Sequence, residues 1–245
     1  MYGHDPMTAS VRQEAPSGIT AASGTTVATP AFGGTCLVGS TLEVYVFWNG
    51  GAGSAAPSSV IDSAGQHYTY GGTTVSDSND GTNLAVYYFP NNASATALVV
   101  TATWTSATTF RGAWAKEITG VTASPFQVIP VGQDQVSPGT GVGAISSGNI
   151  TPSAQPCLLS ALSYDDGGNA ASVVAGSLVT GTTGFLITGN TAAGGTSASQ
   201  RLTSTSPVAA TFTNATDGGT RRFMTIVATY TEAVVTNSAV IAWAG

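Results

Sequence analysis

The chain has 245 residues, and only 7% of them are Asp, Glu, Lys or Arg, against ~25% in an ordinary soluble domain. Six Lys+Arg against twelve Asp+Glu give a net charge of -6, too acidic and too poor in cations for a nucleic-acid footprint. With 42% hydrophobic residues the chain is not disordered in composition, and its length suits one large β domain or two of about 100 residues.

Residues 1–30 mix Pro with Gly, Ala, Ser and Thr without periodicity. They read as an extended arm with no core of its own, whose order has to come from a neighbouring surface. Met1 to Met7 lead into Arg12 and Glu14 without an apolar run of signal-peptide length, and no window approaches ~18 apolar residues. Neither classical secretion nor a membrane-spanning helix is expected.

Residues 31–122 read as a first β-sandwich. Stretches rich in Val, Thr, Tyr, Phe and Trp at 35–38, 42–48, 59–62, 67–70, 84–89, 97–104 and 110–118 alternate with Gly/Asn/Asp/Ser turns. In 42–48, Leu42, Val44, Val46 and Trp48 share one face by period two, while Tyr45 and Phe47 make the other face apolar too. That strand is expected to be central and covered on both sides, with Glu43 marking its less buried end. Trp48, Trp104 and Trp114 are read as core. Cys36 and Cys157 are too few for a disulfide scaffold or a Cys-rich zinc site and are read as small buried hydrophobes.

Residues 123–142, with Pro125, Pro130, Pro138 and several glycines, read as a linker. Residues 143–245 then repeat the pattern as a second sandwich, closing on a strand over 239–243. Residues 33–49 lie over 148–164 without a gap, 98–104 over 207–213, and 111–120 over 223–232. This is an internal repeat in pattern rather than in identity. The expected fold class is all-β: two tandem antiparallel β-sandwich domains, jelly-roll or immunoglobulin-like, preceded by the arm.

Three segments carry a resemblance: Val60-Ile61-Asp62-Ser63-Ala64-Gly65-Gln66-His67-Tyr68-Thr69, Tyr87-Tyr88-Phe89-Pro90-Asn91 and Val99-Val100-Thr101-Ala102-Thr103-Trp104. They resemble a β-sandwich module of tailed-phage virion proteins and some bacterial surface proteins, most closely over residues 42–120. The resemblance implies a structural or binding module located in the virion, of capsid decoration, cement, tail or fibre type. Its expected partners are other virion proteins and further copies of itself.

The chemistry expected is sparse. His4 lies in the arm, His67 is the one internal imidazole, and no Gly-x-Ser-x-Gly elbow surrounds a serine, so the chain is expected not to be an enzyme. No cofactor is expected. Asp77, Asn79, Asp80 and Asp165, Asp166 gather oxygen ligands beside glycines and are the calcium candidates, with Asp217 in a third acidic turn. The same residue types are what β-turns select. Tyr68, Tyr70, Tyr87 and Tyr88 are the aromatics available to face a glycan or host receptor, which defines the alternative of a carbohydrate- or receptor-binding module. A second alternative is a bacterial surface or filament subunit. The few charges are read as clustering at turns and strand ends, with Arg221-Arg222 and Arg201 as a solvated group.

Overall fold

The computed structural model describes residues 8–17, 20, 22–51, 53–77, 81–136, 145–165, 173–175, 186–190, 195–214 and 222–234. The fold is all-β and sandwich-type, built from antiparallel sheets, and the described residues include no helix.

β3 (Thr41–Asn49) organises the first half. Leu42, Val44, Val46 and Trp48 enter one core with Val60, Leu98, Val100, Ala102 and Trp104. Tyr45 and Phe47 enter a different one with Leu162, Tyr164, Met224 and Ile226. Period-two alternation on a strand apolar on both sides therefore demands two cores, and both exist. β3 lies between β6 (Thr82–Phe89) and β7 (Val100–Thr119); β5 (Thr69–Ser76) lies beyond β6, and β1 (Ser10–Pro16) beyond β7.

The sequence suggested two strands over 97–104 and 110–118, but β7 is a single strand of 20 residues that serves two layers. Its first part pairs with β2 (Gly24–Ala28) and β4 (Ser59–Asp62). Its second part pairs with β3 and β1. The change occurs at Phe110, which adopts φ 47° and is exposed. A residue in the left-handed region breaks the regular pleat and lets the strand turn from one sheet to the other. Buried Arg111 secures the bend, donating from Nε to Thr26 O at 3.1 Å, and from Nη1 to Ala22 O at 2.9 Å and to Thr108 O. The expected strand at 35–38 supplies only an isolated bridge, Cys36 to Ala95.

The second half contains β8 (Val121–Phe126), β9 (Val131–Val136), β10 (Ile145–Ile150), β11 (Cys157–Asp165), β12 (Val173–Ala175), β13 (Leu186–Asn190), β14 (Gly195–Leu202), β15 (Val208–Asn214) and β16 (Arg222–Glu232). Its order corresponds to that of the first half. β2 and β4 flank the start of β7, as β10 and β12 flank β15; the run β7-β3-β6-β5 matches β16-β11-β14-β13. One detail differs from the sequence overlay. Leu42 pairs with Glu117, whereas Cys157 pairs with Thr231, not with Thr229 as the overlay requires. A slip of two residues keeps every side chain on its face, so the sequence pattern alone was blind to it.

Each half closes its own core between an inner sheet and a three-stranded outer layer. The two inner sheets then pack against each other through Tyr45, Phe47, Trp114, Leu162, Tyr164 and Met224 at one place, and Ile118, Leu158, Ala228 and Tyr230 at another. The result is four sheet layers. Phe47 stacks on Tyr164 with ring centroids 4.5 Å apart across this seam. Gly112 makes room for it: a Cβ there would sit 1.9 Å from the Phe47 ring. Gly112→Ala should therefore push the ring off Tyr164 and cost roughly 1–3 kcal/mol, the usual range for overpacking. Urea denaturation checks this, and an unchanged midpoint would contradict the packing described.

Two expected boundaries need correction. The segment 1–30 is extended where described, but it is not external to the fold: β1 pairs with β7 from Ser10↔Thr119 to Pro16↔Trp114, and β2 pairs with β7 around Ala102. Ala15 and Val27 are core residues. The neighbouring surface that orders this segment is the chain's own sheet, which offers β7 as an otherwise unpaired edge. Residues 121–136, most of which were assigned to the linker, form β8 and β9 on the edge of β16. The last expected strand, 239–243, lies outside the described residues.

Candidate functional site

The seam between the inner sheets holds a cluster of buried polar side chains. Glu43 and Tyr45 come from β3, Lys116 from β7, Ser160 from β11 and Tyr230 from β16; Glu43 and Lys116 are direct cross-strand partners. All five are fully buried, with relative exposures of 0%. Lys116 is also the only lysine in the chain.

Its Nζ lies 3.8 Å from Glu43 Oε2, and donates to Ser160 Oγ at 3.0 Å and to Ala161 O at 3.1 Å. It also stands 4.8 Å from the centre of the Tyr45 ring. Ser160 Oγ donates to Glu43 Oε2 at 2.5 Å. Tyr45 and Tyr230 hydroxyls both donate to Glu43 Oε1, at 2.9 and 2.8 Å. Burial pushes both tyrosines well above their ordinary pKa, and the Glu43 charge pushes them further, so both hydroxyls stay protonated donors. A buried lysine and carboxylate are tolerable only with this degree of pairing. The expectation that Glu43 marks a less buried end is corrected: the second sheet covers it, and the second sheet's Ser160 and Tyr230 complete its hydrogen bonds.

Other charges follow the same rule. Buried Glu117 accepts from Arg12 at 2.5 Å, Gln13 at 2.7 Å and the Leu37 amide at 2.6 Å. Arg222 of β16 pairs with Asp134 of β9 and, at 3.0 Å, with buried Asp77 of the first half. Glu14 of β1 accepts from Trp114 at 2.8 Å and from Ser197 of the second half at 2.7 Å. Asp77 lies in the turn after β5 and Arg222 at the start of β16, as read, but Arg222 is ion-paired rather than solvated; Glu43, Lys116 and Glu117 lie within β3 and β7, where stacking the halves converts sheet faces into interior that needs paired polar groups.

Arg201 forks onto Glu232 at 2.5 and 2.7 Å, and the Ala9 amide donates to the same carboxylate at 3.2 Å. The Arg201 hydrogen bonds hold Glu232 below the usual carboxylate range against the opposing effect of burial. A depressed folded-state pKa contributes stability above the unfolded value, near 4.3, which is lost as pH falls through the folded value. Glu232→Gln should therefore flatten the acid side of a stability-against-pH curve, measured by urea denaturation between neutral and acid pH. A curve as steep as that of the parent chain would count against the assignment.

Of the calcium candidates only the Asp77 side chain lies among the described residues. Asp77 is engaged by Arg222, Asp165 is described only as backbone, and Asn79, Asp80, Asp166 and Asp217 lie outside the described residues. No group of three or more metal-ligating side chains occurs among the described residues. The aromatic candidates separate. Tyr68 is buried and donates to Asp62 at 3.2 Å, and Tyr87 is core. Tyr88 stacks on Phe126 at 4.0 Å, joining the two halves. Only Tyr70 is exposed, at 42%, with its hydroxyl 2.9 Å from Thr74 Oγ1. Four tyrosines therefore do not make a platform, because the pleat and the second half bury three of them wholly or in part.

Cys36 and Cys157 are free and buried, and burial pushes both thiols up to about 11. A shallow groove of about 300 Å³ is lined by Leu37, Val38, Gly39, Asn91, Gly120 and Val121 among others. Leu37 and Val38 project there as exposed apolar side chains.

Ser160 beside Lys116 and Glu43 has the parts of an activated nucleophile, but all three are sealed from solvent. They can react with one another, not with a substrate that has to enter. Sequence reasoning missed this cluster, although one signal was present: the single lysine interrupts an apolar strand directly after Trp114-Ala115. Compared with known proteins, the chain matches no family model and no curated protein.

Proposed function

We propose that this chain is a non-enzymatic structural protein of a bacteriophage virion, a capsid decoration, cement or head/tail accessory protein that acts through protein–protein contacts. The observation that carries the reading is where the cations go. Arg12, Arg111, Lys116, Arg201 and Arg222 are each tied to carboxylates or backbone carbonyls of the chain itself. Among the described residues the exposed positions are mostly Ser, Thr, Gly and Ala, with the ion-paired Arg12 and Arg201 and apolar residues such as Val38, Ile129 and Val234 between them. A surface with so little charge repulsion favours repeated contact between protein copies. The placement in a virion rests on the resemblance of residues 60–69, 87–91 and 99–104 to phage sandwich modules.

Electron microscopy and sedimentation of the purified chain, alone and mixed with phage particles, test the proposal. The expected result is a defined oligomer or particle binding at fixed stoichiometry. A monomer that ignores particles but binds glycans, with binding lost in Tyr70→Ala, would replace this reading by the carbohydrate-binding one. Tyr70 is the informative position, since Tyr68 is needed for the core.

A further inference from the structure

We propose that Lys116 and Glu43 form an intramolecular isopeptide bond that covalently ties β7 to β3 inside the seam. Four observations place the parts. The two side chains are cross-strand partners with Nζ 3.8 Å from Oε2. Ser160 Oγ touches both reacting groups, accepting from Nζ at 3.0 Å and donating to Oε2 at 2.5 Å. The other carboxyl oxygen, Oε1, receives two hydroxyl donors, Tyr45 at 2.9 Å and Tyr230 at 2.8 Å. Every member is fully buried.

This arrangement divides the labour of an amide-forming step. A proton passes from the ammonium group to the carboxylate through Ser160, giving a neutral amine and a neutral carboxyl group; in a dry site this exchange removes the cost of keeping two ions unsolvated. Nζ then attacks Cδ of Glu43, forming the C–N bond while the electron pair moves onto Oε1. Tyr45 and Tyr230 act as the oxyanion donors, fixed in place before the charge develops. Burial keeps both hydroxyls protonated for that role. A second proton leaves nitrogen through Ser160 to the Oε2 hydroxyl, the Cδ–Oε2 bond breaks, and water departs. Ammonium plus carboxylate becomes amide plus water, with no redox change and no added reagent. The product suits its surroundings: the amide N–H keeps Ala161 O as acceptor, Oε1 keeps both tyrosines, and the absence of solvent protects the bond from hydrolysis.

Mass spectrometry of the folded chain after denaturation and tryptic digestion provides the test. Without the bond, Glu43 is released in 13–111 and Lys116 in 112–116. With it, 13–111 is joined to 112–201, cleavage at Lys116 is blocked, and the branched product lacks about 18 Da, one water. Lys116→Arg keeps a cation but should give only linear peptides. Glu43→Gln should yield the same branched peptide with loss of ammonia, about 17 Da, in place of water. Linear peptides alone from the parent chain overturn the proposal, and so does a branched peptide that persists in Lys116→Arg. The parent measurement decides the matter even if a variant fails to fold.

Discussion

Relative to a parent chain in which the Lys116–Glu43 amide has not formed, replacing Lys116 by Met should lower stability by roughly 3–5 kcal/mol, the cost typical of removing one partner of a buried ion pair. Methionine has the length to fill the space in the seam, so the loss is not chiefly one of volume. What changes is Glu43: its Lys116 partner disappears, while Ser160, Tyr45 and Tyr230 continue to donate to a carboxylate that the second half shields from water. The double change Lys116→Met with Glu43→Gln keeps an acceptor for those hydroxyls and removes the charge, and it should recover more than half of the loss. Non-additivity of this kind is expected for residues in one hydrogen-bonded network. Urea midpoints at constant m-value measure it. A single variant within about 1 kcal/mol of the parent would show that the pair does not hold the seam.

Deleting residues 1–28 should be more damaging still. The truncation removes β1 and β2, so each of the two parts of β7 loses one pairing strand and keeps only β4 or β3. Ala15 and Val27 leave the first core, and Ala9 leaves the contact around Tyr230. Glu117 loses Arg12 and Gln13, leaving a buried carboxylate with the Leu37 amide, and the Glu14 bridge from Trp114 to Ser197 is cut. For a chain of this size each kcal/mol is worth about 2–4 °C in Tm, so a drop beyond about 10 °C, or aggregation through the opened edge, is the expected outcome. Thermal unfolding with size-exclusion chromatography reads it. An unchanged Tm would restore the segment to the status of an arm that serves assembly alone.

The local parts of the structure are legible in the sequence. β4 runs over the residues read as a strand at 59–62, and β3 extends the run read at 42–48 by a residue at each end. Its two apolar faces correctly required a covered, central position. Trp48, Trp104 and Trp114 are buried, as strand patterning implied. Each of these follows from period-two alternation and side-chain type, which act over a few residues. The elements missed share a different cause. β1, β2, β8 and β9 carry little apolar alternation and are strands because an edge of β7 or β16 was available to them. Propensity yields there to hydrogen bonding that only the assembled sheet offers.

The functional reading divides in the same way. Composition and strand patterning together determined an acidic, charge-poor, all-β chain. The tertiary structure decided what the scarce charges are for. In the sequence, Glu43, Asp77, Lys116, Glu117 and Arg222 are scattered over some 180 positions, with no local pattern that pairs them. Stacking two inner sheets turns their faces into a low-dielectric interior, where an ion is stable only beside its partner. Which carboxylate meets the only lysine is a matter of register between β3 and β7 and of contact between β11 and β16 and the opposite sheet. No local pattern records those distances.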